Sequence, residues 1–311
     1  MDILVIADDL AGANANGAML TTAGFPSATC LEPREWAPEN FSAYSAVTLS
    51  VDSRLLRPEE AGERVLEALR IFAPERPKLV AKRIDCALRG NVGAEIESAL
   101  QGLETYFQTK AAAVVIASHP SSGSMVAGGY LIINGLPLER SPIAQDTDAP
   151  LTSSSVLEII AWQTCLPAGL IGLQAVLAGA DAILAECLRL WEEGRRILIC
   201  DAVTDENITA IAQALDDTPF PILAVDPGPF TAELALARLG APDPDCAKGA
   251  CPASRPDRVL AVIGSTSEWK SPGASWPAKN CASADSSFPA ARLRLRYSTA
   301  CAVKVSAYMA R

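Results

Sequence analysis

The sequence predicts an α/β fold: a largely parallel sheet flanked by helices, with a fragment of a second α/β domain after it. Three observations carry this expectation. Short apolar, β-branched runs alternate with helix-like stretches along most of the 311 residues. Several of those runs end at once in acidic or turn residues, as strands buried on both faces of a parallel sheet do. Half of the residues are hydrophobic, enough for large cores, and the length suggests about two domains.

The elements follow in order. Residues 3–7, Ile-Leu-Val-Ile-Ala, form the first strand, closed by Asp8-Asp9 and a small-residue segment, Ala11-Gly12-Ala13-Asn14-Ala15-Asn16-Gly17, that leads into a helix. Residues 45–51 are a strand running into Asp52-Ser53-Arg54, and Pro58-Glu59-Glu60 opens a helix with Val65, Leu66, Leu69 and Phe72 on one face. Residues 78–84 are the next strand, ending in Asp85, and Asn91 is the expected cap of a helix carrying Val92, Ile96, Leu100 and Leu103. Residues 111–117 are a strand followed by a polar loop that contains His119, the single histidine. Gly128-Gly129-Tyr130 and Asn134-Gly135 mark turns around a short apolar run and predict a hairpin beside the parallel sheet. Residues 141–154 are polar, contain proline, and form a surface loop long enough to act as a lid. Residues 173–191 read as one helix, 196–200 as a strand, 205–215 as a helix, 221–225 as a strand and 231–239 as a helix.

The composition then breaks. Residues 241–257, rich in Pro, Asp, Cys and Ala, read as a linker, and residues 258–264 as a new strand closing in Gly264-Ser265-Thr266-Ser267. From Trp269 onward Asp285 is the one acidic residue, against Lys270, Lys279, Arg292, Arg294, Arg296, Lys304 and Arg311. In a chain of net charge −10 this reversal, with much Ser, Ala and Pro, predicts a disordered or poorly packed tail over 269–311. A shifted reading frame near Glu268 would produce such a break.

Composition narrows the partners. A net charge of −10 and a pI near 4.8 argue against nucleic acid or an anionic membrane surface. Residues 1–7 carry no basic leader pattern, and no apolar run approaches a membrane span, so the cytoplasm is the expected location. The nine cysteines are scattered, without a CxxC pair, and read as reduced thiols. One histidine excludes His-rich metal sites and argues against a Ser-His-Asp triad; no metal-ligating set is assigned, and His119 reads as a loop residue rather than a base.

Two clusters carry chemistry. Asp8-Asp9 stand where ligands bind in open α/β sheets, beyond the carboxyl end of a strand. The small residues after them let a ligand approach backbone N–H groups. The same pair would equally serve as a helix cap. The second cluster is Lys82-Arg83-Ile84-Asp85-Cys86-Ala87-Leu88-Arg89-Gly90-Asn91-Val92-Gly93, at another strand-to-helix junction. Its cations and carboxylate suit a small anionic, hydroxylated substrate, because Arg grips a carboxylate bidentately and Asp accepts from a hydroxyl. Taken alone it fits a surface ion-pair network around a helix cap at least as well.

In order and spacing these segments resemble the four-carbon acid sugar kinases. The resemblance rests on Ala7-Asp8-Asp9-Leu10-Ala11-Gly12-Ala13-Asn14, Ser53-Arg54, residues 82–93, Gly128-Gly129-Tyr130, Asn134-Gly135-Leu136-Pro137-Leu138 and Asp201-Ala202-Val203-Thr204-Asp205, and covers residues 1 to 267. It implies a substrate domain over 1–240 that binds a tetronate (threonate, erythronate or 3-oxo-tetronate), and a nucleotide domain of which residues 258–268 are the start. ATP with Mg²⁺ would then phosphorylate the C4 hydroxyl. The resemblance implies Asp8, Asp9 and Asp85 as catalytic residues, with the first two on substrate hydroxyls. It also implies Gly12, Asn14, Arg54, Lys82, Arg89, Gly90 and Asn91 as substrate-binding residues, and Gly264, Ser265 and Ser267 as nucleotide-binding residues.

This chain departs from the family pattern at several points. Ala11 stands where the family usually has Thr, Cys86 and Ala87 where it commonly has hydroxyl residues, His119 where it has an aromatic, and Ser124 where Arg is frequent. The family's later phosphate loops have no counterpart after Ser267. The expectation is therefore a kinase impaired by truncation of its nucleotide domain, with a non-catalytic sugar-acid-binding remnant as the alternative and homo-oligomerisation open. A dinucleotide-dependent oxidoreductase is disfavoured, because Asp8-Asp9 replace the G-x-G-x-x-G that should follow the first strand.

Overall fold

The computed structural model describes residues 1–145, 151–216 and 218–241, all within the unit Met1–Pro252. The chain order is β1 (Ile3–Ala7), α1 (Leu10–Thr22), β2 (Ser27–Cys30), β3 (Ala46–Ser50), α2 (Pro58–Phe72), β4 (Leu79–Arg83), α3 (Val92–Phe107) and β5 (Ala112–Val115). Three short strands follow, β6 (Ser124–Ala127), β7 (Tyr130–Ile133) and β8 (Leu136–Pro137). The last elements are α4 (Val156–Ala161), β9 (Ala168–Ile171), α5 (Leu173–Ala178), α6 (Ala180–Glu192), β10 (Ile197–Cys200), α7 (Asp205–Ala214), β11 (Ile222–Asp226) and α8 (Pro229–Leu239).

Eight strands form one sheet in the order β2-β3-β1-β4-β11-β5-β10-β9, and every pairing is parallel. The α/β class and the parallel sheet are as the sequence predicts. Alternation along the strands divides the core in two. Leu4, Ile6, Val80 and Ile84 face α2 and α3, whose Val65, Leu69, Phe72, Ile96 and Leu100 cover them. Ile3, Val5, Leu79 and Ala81 face the opposite layer, with Leu20 of α1, Ile183 of α6, Ile208 of α7 and Phe230 of α8. The linker 241–257 (beyond its first residue), the strand 258–268, the tail 269–311 and residues 146–150 of the expected lid lie outside the described residues.

The hairpin signal resolves into two successive turns. β6 and β7 pair antiparallel across Gly128-Gly129 (φ 61° and 79°), and β7 and β8 across Asn134-Gly135 (φ 50° and 80°). Positive φ at both central residues is the type I′ requirement that Gly-Gly and Asn-Gly satisfy. Buried Asp201, at the end of β10, fixes the first turn: its carboxylate accepts from Gly128 N (2.7 Å), Gly129 N (2.8 Å) and Leu173 N (2.8 Å).

Two expectations need correction. Residues 173–191 are not one helix: the chain breaks at Gly179 (φ 101°) into α5 and α6. Asn91 stands at the N-cap position of α3, but its side chain does not cap. Its amide donates to the carbonyls of Ser53 and Leu56, both at 3.0 Å, and the Gln163 side chain takes the first-turn N–H of Gly93 at 2.8 Å instead.

Candidate functional site

β3, β1 and β4 are adjacent in the sheet, so the loops after them open side by side at the sheet's carboxyl edge. Those loops carry Arg54, Asp8-Asp9 and the 85–91 segment. The sheet order thus brings together three sequence clusters separated by tens of residues.

Six charged groups interlock there. Arg54 Nε donates to Asp8 Oδ2 and its Nη1 contacts Asp9 Oδ2, both at 2.6 Å, while Nη2 lies 3.8 Å from Asp85 Oδ1. Arg83 Nη1 reaches Asp8 Oδ1 at 3.3 Å and Asp9 Oδ1 at 3.5 Å. Arg89 grips Asp85 through Nε (2.8 Å) and Nη2 (2.9 Å). Three carboxylates and three guanidiniums balance in charge; Asp8, Arg83, Asp85 and Arg89 are buried, and Asp9 and Arg54 are partly exposed. Among the described residues, Arg54 Nη2 and Arg83 Nε are buried donors without a hydrogen-bond acceptor.

The cap reading of Asp9 holds: Asp9 caps α1, accepting from Gly12 N at 2.6 Å, and the same carboxylate also joins the ion cluster. Asp85 is a turn-builder as well, taking the N–H groups of Ala87 (3.1 Å) and Arg89 (3.4 Å). Burial alone would raise its pKa, but the Arg89 hydrogen bonds and the charges of Arg89, Arg54 and Arg83 outweigh that and hold it well below the usual carboxylate range. Asp85 is therefore a fixed anion, poorly matched to a general base. Burial likewise opposes the charge of Arg54, yet Asp8, Asp85 and Asp9 keep that guanidinium above its ordinary pKa. The turn places Leu88 at φ 58° and Gly90 at φ 91°.

Two sequence-predicted residues stand apart from this cluster. Lys82 is 1% exposed, and its ammonium donates to Glu95 (3.0 Å) and to the Arg83 carbonyl (2.8 Å), facing the α2–α3 layer. Asn14 accepts from Thr29 Oγ1 at 2.7 Å, toward β2. Arg83, by contrast, to which the resemblance gives no role, belongs to the cluster. The period-two alternation of β4 is the signal for this: Lys82 lies on the face of Val80, and Arg83 on the face of Ala81, toward Gly12 of α1. Gly12 lies against the Arg83 guanidinium, where a Cβ would come 2.2 Å from Nη1.

A cleft of about 290 Å³ opens beside Arg54, lined by Leu88, Gly90, Asn91, Thr152, Trp162 and Gln163 among others. His119 lies outside the ion cluster, with Nε2 3.3 Å from Ser122 Oγ; burial lowers its pKa, with Asp205 raising and Arg83 further lowering it. Gly264, Ser265 and Ser267 lie outside the described residues.

The model of a sugar-binding N-terminal domain matches residues 3–234. The chain belongs to the four-carbon acid sugar kinase family. It is 38% identical over 264 residues to a D-erythronate kinase of Heliobacterium modesticaldum, covering 85% of this chain and 57% of that one. A D-threonate kinase of Cupriavidus necator is 34% identical over 272 residues, covering 86% and 61%, and a 3-oxo-tetronate kinase of Escherichia coli 27% over 220 residues, covering 69% and 55%. The family chain thus spans little more than half the length of these curated relatives. The fold matches a DUF1537 protein of Haemophilus influenzae (TM-score 0.66, 22% identity, 76% of this chain and 56% of that one). It also matches a Bordetella bronchiseptica DUF1537 domain solved with citrate as a domain-swapped dimer (TM-score 0.62, 21% identity, 76% and 56%). Among the described residues of the family chain, no helix is long and apolar enough to cross a membrane.

The ATP and Mg²⁺ that the sequence resemblance implies would call for a donor set. Among the described residues no group of three or more His, Cys, Asp or Glu side chains is placed to hold a metal ion. Asp8, Asp9 and Asp85 are each engaged by guanidinium groups, and this does not fit a resident Mg²⁺ at that cluster.

Proposed function

We propose that this chain binds a four-carbon sugar acid of the erythronate, threonate or 3-oxo-tetronate type and presents its C4 hydroxyl for phosphorylation by ATP. The observation that carries the reading is the interlocked cluster of Asp8, Asp9, Asp85, Arg54, Arg83 and Arg89, with two buried N–H donors left over. A tetronate offers one carboxylate and adjacent hydroxyls. Arg54 Nη2 and Arg83 Nε are the donors for the carboxylate, since a charge-assisted hydrogen bond is the natural partner of a buried guanidinium N–H. Asp8 and Asp9 accept from the hydroxyls, and the cleft beside Gly90 and Asn91 has room for the four-carbon chain. The names of the relatives support the substrate class and the phosphotransfer.

Calorimetric titration of the 311-residue chain with erythronate, threonate and 3-oxo-tetronate tests binding, and phosphate transfer from ATP is followed in parallel. Binding of one tetronate, weakened by Arg83→Ala by about 1.5–3 kcal/mol, supports the reading. Binding without transfer would favour the non-catalytic reading, and absence of binding by any four-carbon acid would overturn the assignment.

A further inference from the structure

A second buried ionic group lies on the other side of β4; of its members the resemblance assigns only Lys82, as a substrate-binding residue, and it gives Glu95 and the Ser53 hydroxyl no role. Lys82 and Glu95 are each 1% exposed and pair at 3.0 Å, and the Ser53 hydroxyl, fully buried, donates to the remaining Glu95 oxygen. Burying an ion pair costs free energy, and an apolar pair of similar volume commonly packs as well or better. Packing alone therefore does not explain why this position carries charge. The third member of the group does: Ser53 immediately precedes Arg54.

We propose that Glu95 is a positioning residue for Arg54, with Lys82 as its counter-ion and the Ser53 hydroxyl as the link. Arg54 must reach Asp8, Asp9 and Asp85 at once, at 2.6, 2.6 and 3.8 Å, so its backbone has little latitude. The anchors converge on the residue before it. Ser53 N donates to the Asp8 carbonyl (3.1 Å), its hydroxyl to Glu95, and its carbonyl accepts from Asn91 (3.0 Å). Asn91 and Glu95 stand one turn apart on α3, joined by the Glu95 N to Asn91 O bond at 2.9 Å, so one helix face grips the Arg54 loop twice. Lys82 adds the third element, since its ammonium also holds the Arg83 carbonyl at 2.8 Å. A single buried pair thus fixes the loop of one cluster arginine and the backbone of another. Burial raises the Glu95 pKa above the ordinary carboxylate value, with the Asp8 charge adding to it, while Lys82 and the Ser53 hydrogen bond pull the other way, toward the carboxylate that accepts from Ser53.

The proposal rests on the sugar-acid reading for its binding readout but not for its structural one. The variants are Ser53→Ala, Ser53→Thr and the double variant Lys82→Met with Glu95→Leu, in the full chain. The Arg54 Nε–H resonance, assigned by its loss in Arg54→Lys, reports whether the guanidinium is still held, and erythronate and threonate affinities are measured by calorimetry. Ser53→Ala and the double variant are expected to release the Arg54 Nε–H to fast solvent exchange and weaken tetronate binding roughly ten-fold or more. Ser53→Thr, which keeps the hydroxyl, restores both, and the double variant keeps a near-wild-type denaturation midpoint. An unchanged Arg54 signal in Ser53→Ala overturns the proposal, and that variant decides the matter if the double variant does not fold. A wild-type chain that binds no tetronate overturns the functional reading instead, and the Arg54 resonance alone then decides the positioning role.

Discussion

Replacing Gly12 by alanine sets two effects of known sign against each other. Gly12 lies in the first turn of α1, where alanine gains up to about 1 kcal/mol from backbone entropy. Its Cβ, however, would sit 2.2 Å from Arg83 Nη1, 2.4 Å from Cζ and 2.7 Å from Cδ. Ordinary carbon contacts lie near 3.5–4.0 Å, so the guanidinium must retreat by roughly an ångström or more. The clash includes Cδ, so rotation of the guanidinium tip alone does not relieve it. Nη1 already stands at 3.3 Å from Asp8 and 3.5 Å from Asp9, at the limit of a useful hydrogen bond, and any retreat loses both. Hydrogen bonds to charged groups are worth about 1.5–3 kcal/mol each; these are long, so half of that is a fair share. The expected net is a destabilisation of about 1–3 kcal/mol. Gly17→Ala on the same helix is the control, because its Cβ would meet Thr48 at an ordinary 3.5 Å and should stabilise by about 0.5–1 kcal/mol. Urea midpoints of the two variants and wild type measure the difference. If Gly12→Ala proved as stable as Gly17→Ala, Arg83 would not be held over α1 as described.

Three further outcomes follow from the same geometry. The folded pKa of Asp85 is depressed, so its stabilising contribution is present above the ordinary carboxylate pKa of about 3.9 and fades as pH falls through that range toward the folded value. Asp85→Asn should cost about 3–5 kcal/mol at pH 7 by stranding Arg89, and should flatten the acid limb of the stability profile; an unchanged limb would show that Asp85 does not carry it. Asp201→Asn leaves one oxygen for three N–H donors, so stability should fall by about 1–3 kcal/mol with faster hydrogen exchange at Gly128 and Gly129, and unaltered exchange there would contradict the tether. Burial pushes the Cys187 thiol up to about 12 and Cys200 well above the ordinary value, whereas Cys165 is exposed. Peptide-mapped alkylation of the native chain should therefore label Cys165 and spare Cys187 and Cys200, and early labelling of Cys187 would contradict its burial.

The strands buried on both faces were legible because their apolar runs are uninterrupted: 3–7 and 111–117 leave no other element to build. β2, β9 and α4 escaped for the opposite reason. Ser27–Cys30 and Ala168–Ile171 are four-residue edge strands containing small or polar residues, and Val156–Ala161 is under two turns long. Such elements owe their form to neighbours rather than to pattern. In the site, Asp8, Asp9, Arg54, Asp85 and Arg89 stood out because charges end apolar strands. Strand alternation separates Lys82 from Arg83, which the charged motif alone does not, and Glu95 carries no local signal, since an acidic residue in the first turn of a helix is ordinary. Only the packing of α3 against the Arg54 loop distinguishes it.

The place of β11 bears on how the chain comes off the ribosome. β4 and β5 are joined only through β11, whose residues Ile222–Asp226 are made more than a hundred positions after either neighbour. Without β11 the sheet order divides into two sets of neighbours, β2-β3-β1-β4 and β5-β10-β9, each with a parallel edge that β11 would otherwise pair. Open edges of this kind are templates for wrong pairing. The ion cluster lies wholly on the earlier half, so its partners are available long before the edge beside Arg83 is closed. Chains interrupted before residue 222 would emerge with that edge bare, and quality-control factors that read exposed strands would have a long interval in which to engage it.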